Sequence, residues 1–369
     1  MPAKYRVAII GHTGRGNYGH GIDTVWMRFA DRCQIVGVAD ADEQGRAAAA
    51  RRLQAPQAFA DYRQMLDQTR PQIVAICPRW VDQHRDMAVA AAERGAHIYM
   101  EKPMCRSPAE ADEIIAACEK NDVKLALAHQ TRYSPRLHVV REILDSGKLG
   151  TILELRGRGK EDHRGGGEDL WVLGSHVMNL IHVLGGEPNW CFGRLEQNGK
   201  PVTRADVREG NEGLGPLAGD HVVAMYGLDR GATAYFGSRR GMARGNGRFG
   251  LQIFGSQGVL EILTGYLPSV HLLLDPLWSP GQSKQPWVEV SSAGIGKPEP
   301  LKDGGLDAGN LLAVQDLLSA IENDRLPECN MYEGRMTVEM ICAVFESHRR
   351  GGPVTFPLQT RQNPLALLE

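Results

Sequence analysis

A glycine-rich stretch near the start of the chain carries a clear chemical signal. Residues 11–21, GHTGRGNYGHG, contain five glycines and follow the apolar run YRVAII at 5–10. Glycine lets a backbone approach another group closely or adopt a positive φ. Between a strand and a helix, such a loop presents backbone N–H groups and a helix amino terminus to a pyrophosphate. The stretch therefore predicts a dinucleotide-binding site.

The literal GxGxxG match in this stretch runs from Gly14 to Gly19 and starts four residues beyond the predicted strand. The turn glycine of such a motif usually follows its strand directly, which is the position of Gly11. We predict an enlarged loop in which Gly11 forms the turn, Gly14 and Gly16 approach the phosphates, and Gly19 packs under the next helix. The remaining cofactor-binding candidates in this loop are Arg15 and Asn17.

A carboxylate at the end of the second predicted strand favours NAD. Asp40 follows the run QIVGVA at 34–39 and lies 21 residues after Gly19. A carboxylate there accepts hydrogen bonds from the ribose hydroxyls of NAD and repels the 2′-phosphate of NADP. Arginines at 46, 51 and 52 are available to serve NADP, but helix surfaces carry such arginines routinely. NAD is the expected cofactor and NADP the less favoured one.

The elements around these residues predict a doubly wound sheet. Predicted strands lie at 5–10, 34–39, 72–77 and 97–100, with helical patterns near 62–69 and before Arg94. A helix directly after the glycine loop is predicted by apolar residues at helical spacing, namely Ile22, Val25, Trp26, Phe29 and Ala30. Alternating strands and helices indicate a parallel sheet, with ligands at the carboxyl ends of its strands.

Composition narrows the class of protein. The chain has 369 residues and a net charge of −2, so it lacks the basic field of a nucleic-acid-binding protein. It contains no long apolar run, and we expect no membrane partner. The seven cysteines form no CxxC pair, which favours reduced thiols and a cytoplasmic protein. No HExxH or HxH spacing is present, so no metal site is expected.

Four stretches resemble the Gfo/Idh/MocA family of NAD(P)-dependent oxidoreductases, which act on sugars and cyclitols. Glu101-Lys102-Pro103 follows the predicted strand HIYM and is similar to the EKP motif of that family. Residues 129–152 resemble its link into a second domain, and 165–186 resemble its histidine-bearing helix. Residues 254–262, FGSQGVLEI, resemble its G-x-x-G strand pair. The resemblance covers about residues 5 to 357.

The resemblance implies the fold class and the division into domains. It implies an α/β protein with an N-terminal Rossmann domain (1–128) and a C-terminal α/β domain (129–358) on a large, mostly antiparallel sheet. Such sheets often make dimer or tetramer contacts. We expect loops at Gly199–Gly219 and Pro276–Gly309, either of which is a candidate substrate lid or an inert excursion. We expect the tail at 359–369 to dock on a neighbouring chain or to lack order.

The resemblance also implies the reaction and its residues. In the family, the EKP lysine and the helical histidine assist removal of the hydroxyl proton, and these are Lys102 and His176 here. Cys77, Pro78 and Glu101 are the further expected cofactor contacts. The chain carries Cys77-Pro78-Arg79-Trp80 before His84, where the family has T-P-N-x-x-H, so the spacing is two residues longer. Substrate-binding candidates, each also readable as structural, are Arg132, Tyr133, Lys160, His163 and Asn179.

The chain departs from the family pattern around His176. Relatives usually carry Asp four residues before this histidine and often Asp three residues after it, where this chain has Val172 and Asn179. Asp169 lies seven residues before His176, and a continuous helix would return it to the same face. We predict that Asp169 supplies the missing carboxylate. The alternative is that it caps the helix.

These observations predict an NAD-dependent oxidoreductase of a polyhydroxylated substrate. One alternative is an enzyme that uses bound NAD transiently, for glycoside elimination or hydrolysis or for epimerisation. The other is a non-catalytic nucleotide-binding regulator, although retention of both Lys102 and His176 argues against it.

Overall fold

The computed structural model describes residues 4–243 and 247–369, and the chain divides into two compact units. The first unit comprises the chain up to Gln130 together with Glu212–Leu214 and Leu306–Arg335. The second comprises Thr131–Asn211, Gly215–Gly305 and Met336–Glu369. The division predicted from the sequence placed residues 306–335 in the second domain, whereas they belong to the first unit.

Parallel strands form the sheet of the first unit. Its strands are β1 (Tyr5–Ile10), β2 (Cys33–Ala39), β3 (Ala58–Phe59), β4 (Ile73–Ile76), β5 (His97–Met100) and β6 (Leu125–Leu127). Their order is β3-β2-β1-β4-β5-β6, and neighbouring strands pair in parallel. This is the doubly wound order of a dinucleotide-binding domain. The predicted Rossmann sheet is confirmed.

The described residues form ten α-helices, several of which begin at a side-chain cap. They are α1 (Glu43–Leu53), α2 (Tyr62–Thr69), α3 (His84–Ala92), α4 (Pro108–Lys120), α5 (Pro135–Asp145), α6 (Gly167–Val172), α7 (Gly174–Gly185), α8 (Pro280–Ser283), α9 (Leu306–Glu322) and α10 (Met331–Arg350). The Asp42 side chain accepts a hydrogen bond from the N–H of Gly45 at the start of α1, and Ser107 caps α4 in the same way. In the described part of the chain, no helix is long and apolar enough to span a membrane.

The predicted helix directly after the glycine loop is wrong. Residues 13–24 lie in turns, and only Val25–Phe29 form a short 3-10 helix. Gly19 and Gly21 adopt φ values of +64° and +83°, which an α-helix does not accommodate. Ile22 and Trp26 are nevertheless buried. The apolar spacing therefore indicated burial correctly, while the glycines determine the backbone path.

The second unit contains a large mixed sheet. The strands of this unit, in chain order, are β7 (Ile152–Arg158), β8 (Pro188–Gln197), β9 (Lys200–Pro201), β10 (Arg208–Glu209), β11 (Pro216–Leu217), β12 (His221–Leu228), β13 (Thr233–Arg239), β14 (Gly250–Gly255), β15 (Gly258–Leu263), β16 (Val270–Leu273), β17 (Val288–Ser291), β18 (Gly294–Ile295) and β19 (Val354–Thr355). The order is β18-β17-β16-β15-β14-β7-β13-β12-β8-β19, with β9 also paired to β8, and β10 pairs separately with β11. Only β7 and β13 pair in parallel among the described neighbours. The predicted large, mostly antiparallel sheet is confirmed.

The two segments predicted as loops contain regular elements. Gly199–Gly219 includes the β10–β11 pair, and Pro276–Gly309 includes α8, β17, β18 and the start of α9. The later segment is also anchored, because the Arg136 guanidinium donates to the Glu299 carboxylate at 2.8 Å. Glu299 in turn accepts hydrogen bonds from the backbone and hydroxyl of Ser292.

The C-terminal tail packs on its own unit, contrary to the expectation for 359–369. Pro364–Leu367 form a 3-10 helix, and Leu365 is completely buried. The Asn363 amide donates to the carbonyl of Pro216 at 3.0 Å, and the Arg204 guanidinium donates to the carbonyls of Ala366 and Leu368 at 3.2 Å. Apolar burial and satisfied backbone groups together explain why the tail is ordered.

The docked tail yields a paired stability prediction. Replacing Leu365 with Ala, where the side chain is 0% exposed, should lower the free energy of unfolding by about 2–5 kcal/mol because it leaves a cavity. Replacing Leu367, which is 37% exposed, with Ala should change the free energy of unfolding by less than about 0.5 kcal/mol. Urea unfolding of both variants measures the difference, and equal stabilities would show that the tail is not docked in solution.

Candidate functional site

The glycine loop at the carboxyl end of β1 is folded on itself. The backbone of His12 pairs with that of Asn17 at 2.9 and 3.0 Å. Gly14 and Gly16 adopt φ values of +82° and +87°. A Cβ on Gly14 would have no atom within 4 Å, so its backbone is open for a ligand to approach. A Cβ on Gly16 would lie 2.3 Å from the backbone nitrogen of Arg79, so Gly16 is a packing glycine.

The outer glycines of the loop make room for particular neighbours. A Cβ on Gly11 would lie 2.2 Å from the ring of Tyr18, so the absence of a side chain allows that ring to pack there. A Cβ on Gly19 would lie 2.5 Å from the carbonyl oxygen of Cys77. Gly19 therefore packs on the loop after β4, and not under a helix as its spacing predicts.

Asp40 holds the glycine loop in place. Its carboxylate, 1% exposed, accepts hydrogen bonds from the backbone and hydroxyl of Thr13, the hydroxyl of Tyr18 and the backbone of Asp42, at 2.7–3.1 Å. Burial and this carboxylate raise the pKa of the Tyr18 hydroxyl. A carboxylate with these donors already has a structural role, in addition to the ribose contact expected from its position.

A cavity of about 230 Å³ adjoins this cluster within the first unit. It lies at the carboxyl edge of the sheet, between the ends of β1 and β2 and the starts of α2 and α3. Its lining includes Gly11, His12, Asp40, Ala41, Tyr62 and Met87. Apolar and aromatic side chains beside the Asp40 carboxylate fit the adenosine end of a dinucleotide.

The loop after β4 supports the glycine loop from the other side. The N–H of Arg79 donates to the carbonyl of Gly16 at 3.3 Å. The Arg15 guanidinium forms an ion pair with Asp82 and lies 4.6 Å from the ring centre of Trp80. Cys77 and Pro78 begin this loop, and Cys77 is completely buried. The two additional residues after β4 thus contact the enlarged glycine loop.

The Glu101-Lys102-Pro103 segment follows β5 at the same edge of the sheet. The Glu101 carboxylate is buried and accepts hydrogen bonds from the ring and backbone of His20 and from the N–H of Lys102 at 3.1 Å. Burial alone raises the pKa of Glu101, but the His20 hydrogen bond and the charges of His20 and Lys102 outweigh it and lower the pKa below its usual value. Glu101 therefore joins the backbone of Lys102 to the glycine loop as an ionised carboxylate.

Asp169, in the second unit, does not take the position that its spacing predicts. The helical stripe is interrupted because α6 ends at Val172 and α7 begins at Gly174. The Asp169 carboxylate is completely buried and accepts hydrogen bonds from the N–H groups of Lys160 and Glu161 and from the Ser238 hydroxyl. Burial raises its pKa, and these hydrogen bonds partly offset the increase. Asp169 anchors the segment after β7.

His176 and Asn179 both lie on α7. His176 is half-buried, and its ring centre lies 6.3 Å from that of Phe249 in an edge-to-face contact. Asn179 is completely buried, and its amide donates to the Thr337 hydroxyl at 3.4 Å. Asn179 is thus placed in the interior of the unit, where it contacts α10, whereas His176 retains an exposed part.

The other substrate-binding candidates differ in exposure. Arg132 and Tyr133 are buried in the short 3-10 helix Gln130–Tyr133. The ammonium of Lys160 lies 3.7 Å from Asp162, and the side chain of His163 is 85% exposed. Asp162 has a pKa of about 2 because it accepts hydrogen bonds from Arg164. Across 4–243 and 247–369, no group of three His, Cys, Asp or Glu side chains is placed to hold a metal ion.

Comparison with known families follows this division of the chain. Residues 5–129 match the family model described as an oxidoreductase family with an NAD-binding Rossmann fold, and residues 137–261 match the Gfo/Idh/MocA C-terminal domain. The chain belongs to the Gfo/Idh/MocA family. The fit at Gly14 and the adjoining cavity agrees with NAD as the cofactor of its first unit.

Individual relatives include enzymes of two kinds. The chain is 26% identical to a levoglucosan dehydrogenase of Pseudarthrobacter phenanthrenivorans over 246 residues, which is 60% of this chain and 63% of that protein. It thus spans less than two thirds of that relative. It is 24% identical to glycosyl hydrolase family 109 protein 1 of Akkermansia muciniphila over 97% of this chain and 82% of that protein.

Solved structures show the same fold. A levoglucosan dehydrogenase in complex with NADH and levoglucosan superimposes with a TM-score of 0.76 at 20% identity, over 96% of this chain and 100% of that one. An oxidoreductase from Agrobacterium radiobacter in complex with NAD+, L-tartaric acid and magnesium gives a TM-score of 0.72 at 16% identity, over 96% and 98% of the two chains.

Sequence reasoning missed the residues that support the predicted ones. These are Thr13, Tyr18, His20, Asp82 and Ser238. Asp82 lies in the lengthened loop after β4, and that added length was a visible signal. Ser238 is a strand residue more than 60 positions from Asp169, and nothing in the local pattern indicated their contact.

Two glycines in the loop should respond differently to alanine. Gly14→Ala and Gly16→Ala both impose positive-φ strain of about 1–2 kcal/mol. Only Gly16→Ala also collides with the Arg79 backbone, which adds about 1–3 kcal/mol. We expect a lower melting temperature for Gly16→Ala without cofactor, and weaker NADH binding by fluorescence titration in both variants. Equal melting temperatures would contradict the packing role of Gly16.

The partners of Asp169 predict a loss of stability on substitution. Asp169→Asn removes a hydrogen-bond acceptor from buried N–H groups and should cost about 1–3 kcal/mol in unfolding free energy. Glu168→Gln, on the same helix, should cost less than about 0.5 kcal/mol, since Glu168 is only half-buried and the glutamine oxygen still accepts from Asn211. Chemical unfolding of both variants provides the comparison. Unchanged stability with a large loss of turnover would restore the proposal that Asp169 contacts substrate.

Proposed function

We propose that the protein oxidises a secondary alcohol of a sugar, sugar derivative or cyclitol with NAD. The observation that carries this proposal is the placement of Lys102. Its backbone is fixed by the buried Glu101 carboxylate, which is also bonded to the glycine loop through His20. The Lys102 backbone is thereby held at the carboxyl edge of the sheet, where doubly wound folds bind their ligands, and this supports a role for its ammonium group in the reaction.

The residues of the chain handle the proton in this proposal. Bound NAD supplies the hydride acceptor. The Lys102 ammonium donates a hydrogen bond to the substrate hydroxyl and lowers its pKa, and His176 accepts the proton as general base. The assignment of His176 is supported by the family pattern and by its half-buried position on α7. Asp169 has no role in this proposed proton transfer because its carboxylate oxygens accept hydrogen bonds from the protein.

A second candidate reaction is favoured by the glycosyl hydrolase relative, which is matched over 97% of this chain. In that reaction, oxidation of a sugar carbon would acidify the neighbouring C–H and allow elimination of the aglycone, after which water adds to the resulting double bond and the hydride returns to the ketone. The same residues would serve, but no NADH would accumulate. Epimerisation through the same ketone is the related possibility.

We also propose assembly into a homodimer or homotetramer through the outer face of the large sheet. Phe192, Val223 and Tyr235 are exposed on neighbouring strands of that face. Exposed apolar side chains on adjoining strands are typical of a protein interface. Sedimentation velocity of the wild-type protein measures the assembly.

The expected location of the protein is the cytoplasm.

The experiment is a panel of substrates with NAD. It contains levoglucosan, myo-inositol, a sugar acid and 4-nitrophenyl glycosides, followed at 340 nm for NADH and at 405 nm for 4-nitrophenol. We expect NADH formation with at least one polyol. Nitrophenol release without NADH would favour the second candidate, and neither product, with NAD still bound, would favour a non-catalytic regulator.

Substitution of Lys102 tests its role. Lys102→Ala should reduce kcat by about 100-fold or more and change KM less, because the lysine acts most strongly as the hydroxyl loses its proton. Lys124→Ala is the matched control, because Lys124 lies at the amino end of β6, away from the carboxyl ends of the strands, and pairs with Asp324. A change in KM alone would make Lys102 a binding residue only.

A further inference from the structure

His84 joins two backbone segments at the carboxyl edge of the first sheet. It is the first residue of α3, and its ring is completely buried. Its Nδ1 lies 2.9 Å from the carbonyl oxygen of Pro103, and its Nε2 lies 2.8 Å from the carbonyl oxygen of Pro78. A carbonyl oxygen only accepts hydrogen bonds, so a neutral ring donates its single N–H to one of these carbonyls and contacts the other through its second nitrogen. One rigid side chain therefore fixes the separation of the two carbonyls.

The two segments that His84 joins carry different parts of the candidate site. Pro78 begins the loop that supports the glycine loop, through the hydrogen bond from Arg79 to Gly16. Pro103 follows Lys102 directly. The backbone of Lys102 is thus held on one side by the Glu101 carboxylate and on the other by the carbonyl that His84 binds.

We propose that His84 is a positioning residue for Lys102. Its two ring contacts, to the carbonyls of Pro78 and Pro103, keep the Lys102 backbone at a fixed distance from the loop after β4, so that the ammonium group is presented in one place. This inference rests on the proposed function, in which Lys102 assists removal of the hydroxyl proton. Lys102 is attached to a loop, and a displacement of about 1 Å at a reacting group can cost about 100-fold in rate.

The test compares two variants of His84 with a matched histidine. His84→Ala removes both ring contacts and leaves a buried space, whereas His84→Gln keeps an N–H donor. His97→Ala is the control, because His97 begins β5 at the opposite edge of the same sheet and its ring accepts one backbone hydrogen bond, from Lys124 at 3.0 Å. Melting temperatures of all three variants are measured first.

Turnover provides the first readout, with the panel sugar that gives the fastest NADH formation. We expect His84→Ala to lower kcat at least tenfold while KM and the dissociation constant of NADH change less than threefold. Added imidazole should restore at least part of kcat, and His84→Gln and His97→Ala should stay within threefold of wild type. A kcat within threefold of wild type in folded His84→Ala, or an equal loss in His84→Gln that imidazole does not relieve, would overturn the proposal.

The reactivity of Lys102 provides a readout that needs no substrate. Acetylation by acetic anhydride in the NADH complex, quantified by peptide mass spectrometry, should change at least threefold at Lys102 in His84→Ala, with Lys124 as the internal reference. An unchanged Lys102 rate in His84→Ala, measured below the melting temperature of that variant, would overturn the proposal, whereas His84→Gln should match wild type. If Lys102→Ala retained full turnover while the acetylation rate changed in His84→Ala, the proposed function would fail and the positioning role would stand.

Discussion

The buried Asp40 carboxylate is the constraint on which the nucleotide half of the molecule depends. A buried charge is tolerated only when hydrogen-bond donors surround it. In this chain the donors come from Thr13, Tyr18 and Asp42, so the glycine loop has to fold back over the end of β2. Gly11 and Gly45 are required for the same reason, because a Cβ on either would occupy the space of the Tyr18 ring or the Thr13 side chain.

A second buried carboxylate, Glu101, extends this arrangement toward the candidate chemistry. His20 comes from the end of the glycine loop and contacts Glu101, which also accepts the N–H of Lys102. Asn310 of α9 donates to the carbonyl of His20 and accepts from the Tyr99 hydroxyl, and it is buried. Residues 306–335 belong to the first unit, and the Asn310 side chain from this segment supplies the polar group that completes this hydrogen-bond network.

The sequence was sufficient for the fold class, and it singled out Asp40, Glu101, Lys102 and Asp169 as candidate polar positions. Alternation of buried strands and helices predicted the parallel sheet, and strand β5 was predicted at its observed bounds of 97–100. The sequence was insufficient where one side chain decides a backbone path. The interruption at Leu173 between α6 and α7 has no proline to announce it. The burial of Asp169 depends on Ser238, which lies on a distant strand.

Charge and periodicity also could not separate a residue that binds a ligand from one that holds a loop. Asp40 and Asp169 both had spacing suited to a binding role, and both accept several hydrogen bonds from the protein itself. The distinction depends on how many donors surround each carboxylate, which is a property of three-dimensional packing. Lys102 and Glu101 were singled out because their segment resembles the EKP motif of the family and follows a predicted strand.

The contact between the glycine loop and the loop after β4 has a consequence for changes in the length of either loop. The N–H of Arg79 donates to the carbonyl of Gly16, and Arg15 forms an ion pair with Asp82, so each loop packs on the other. Shortening one loop would leave the polar groups of the other without these partners. The two segments therefore form one structural unit, although more than fifty residues separate them in the chain.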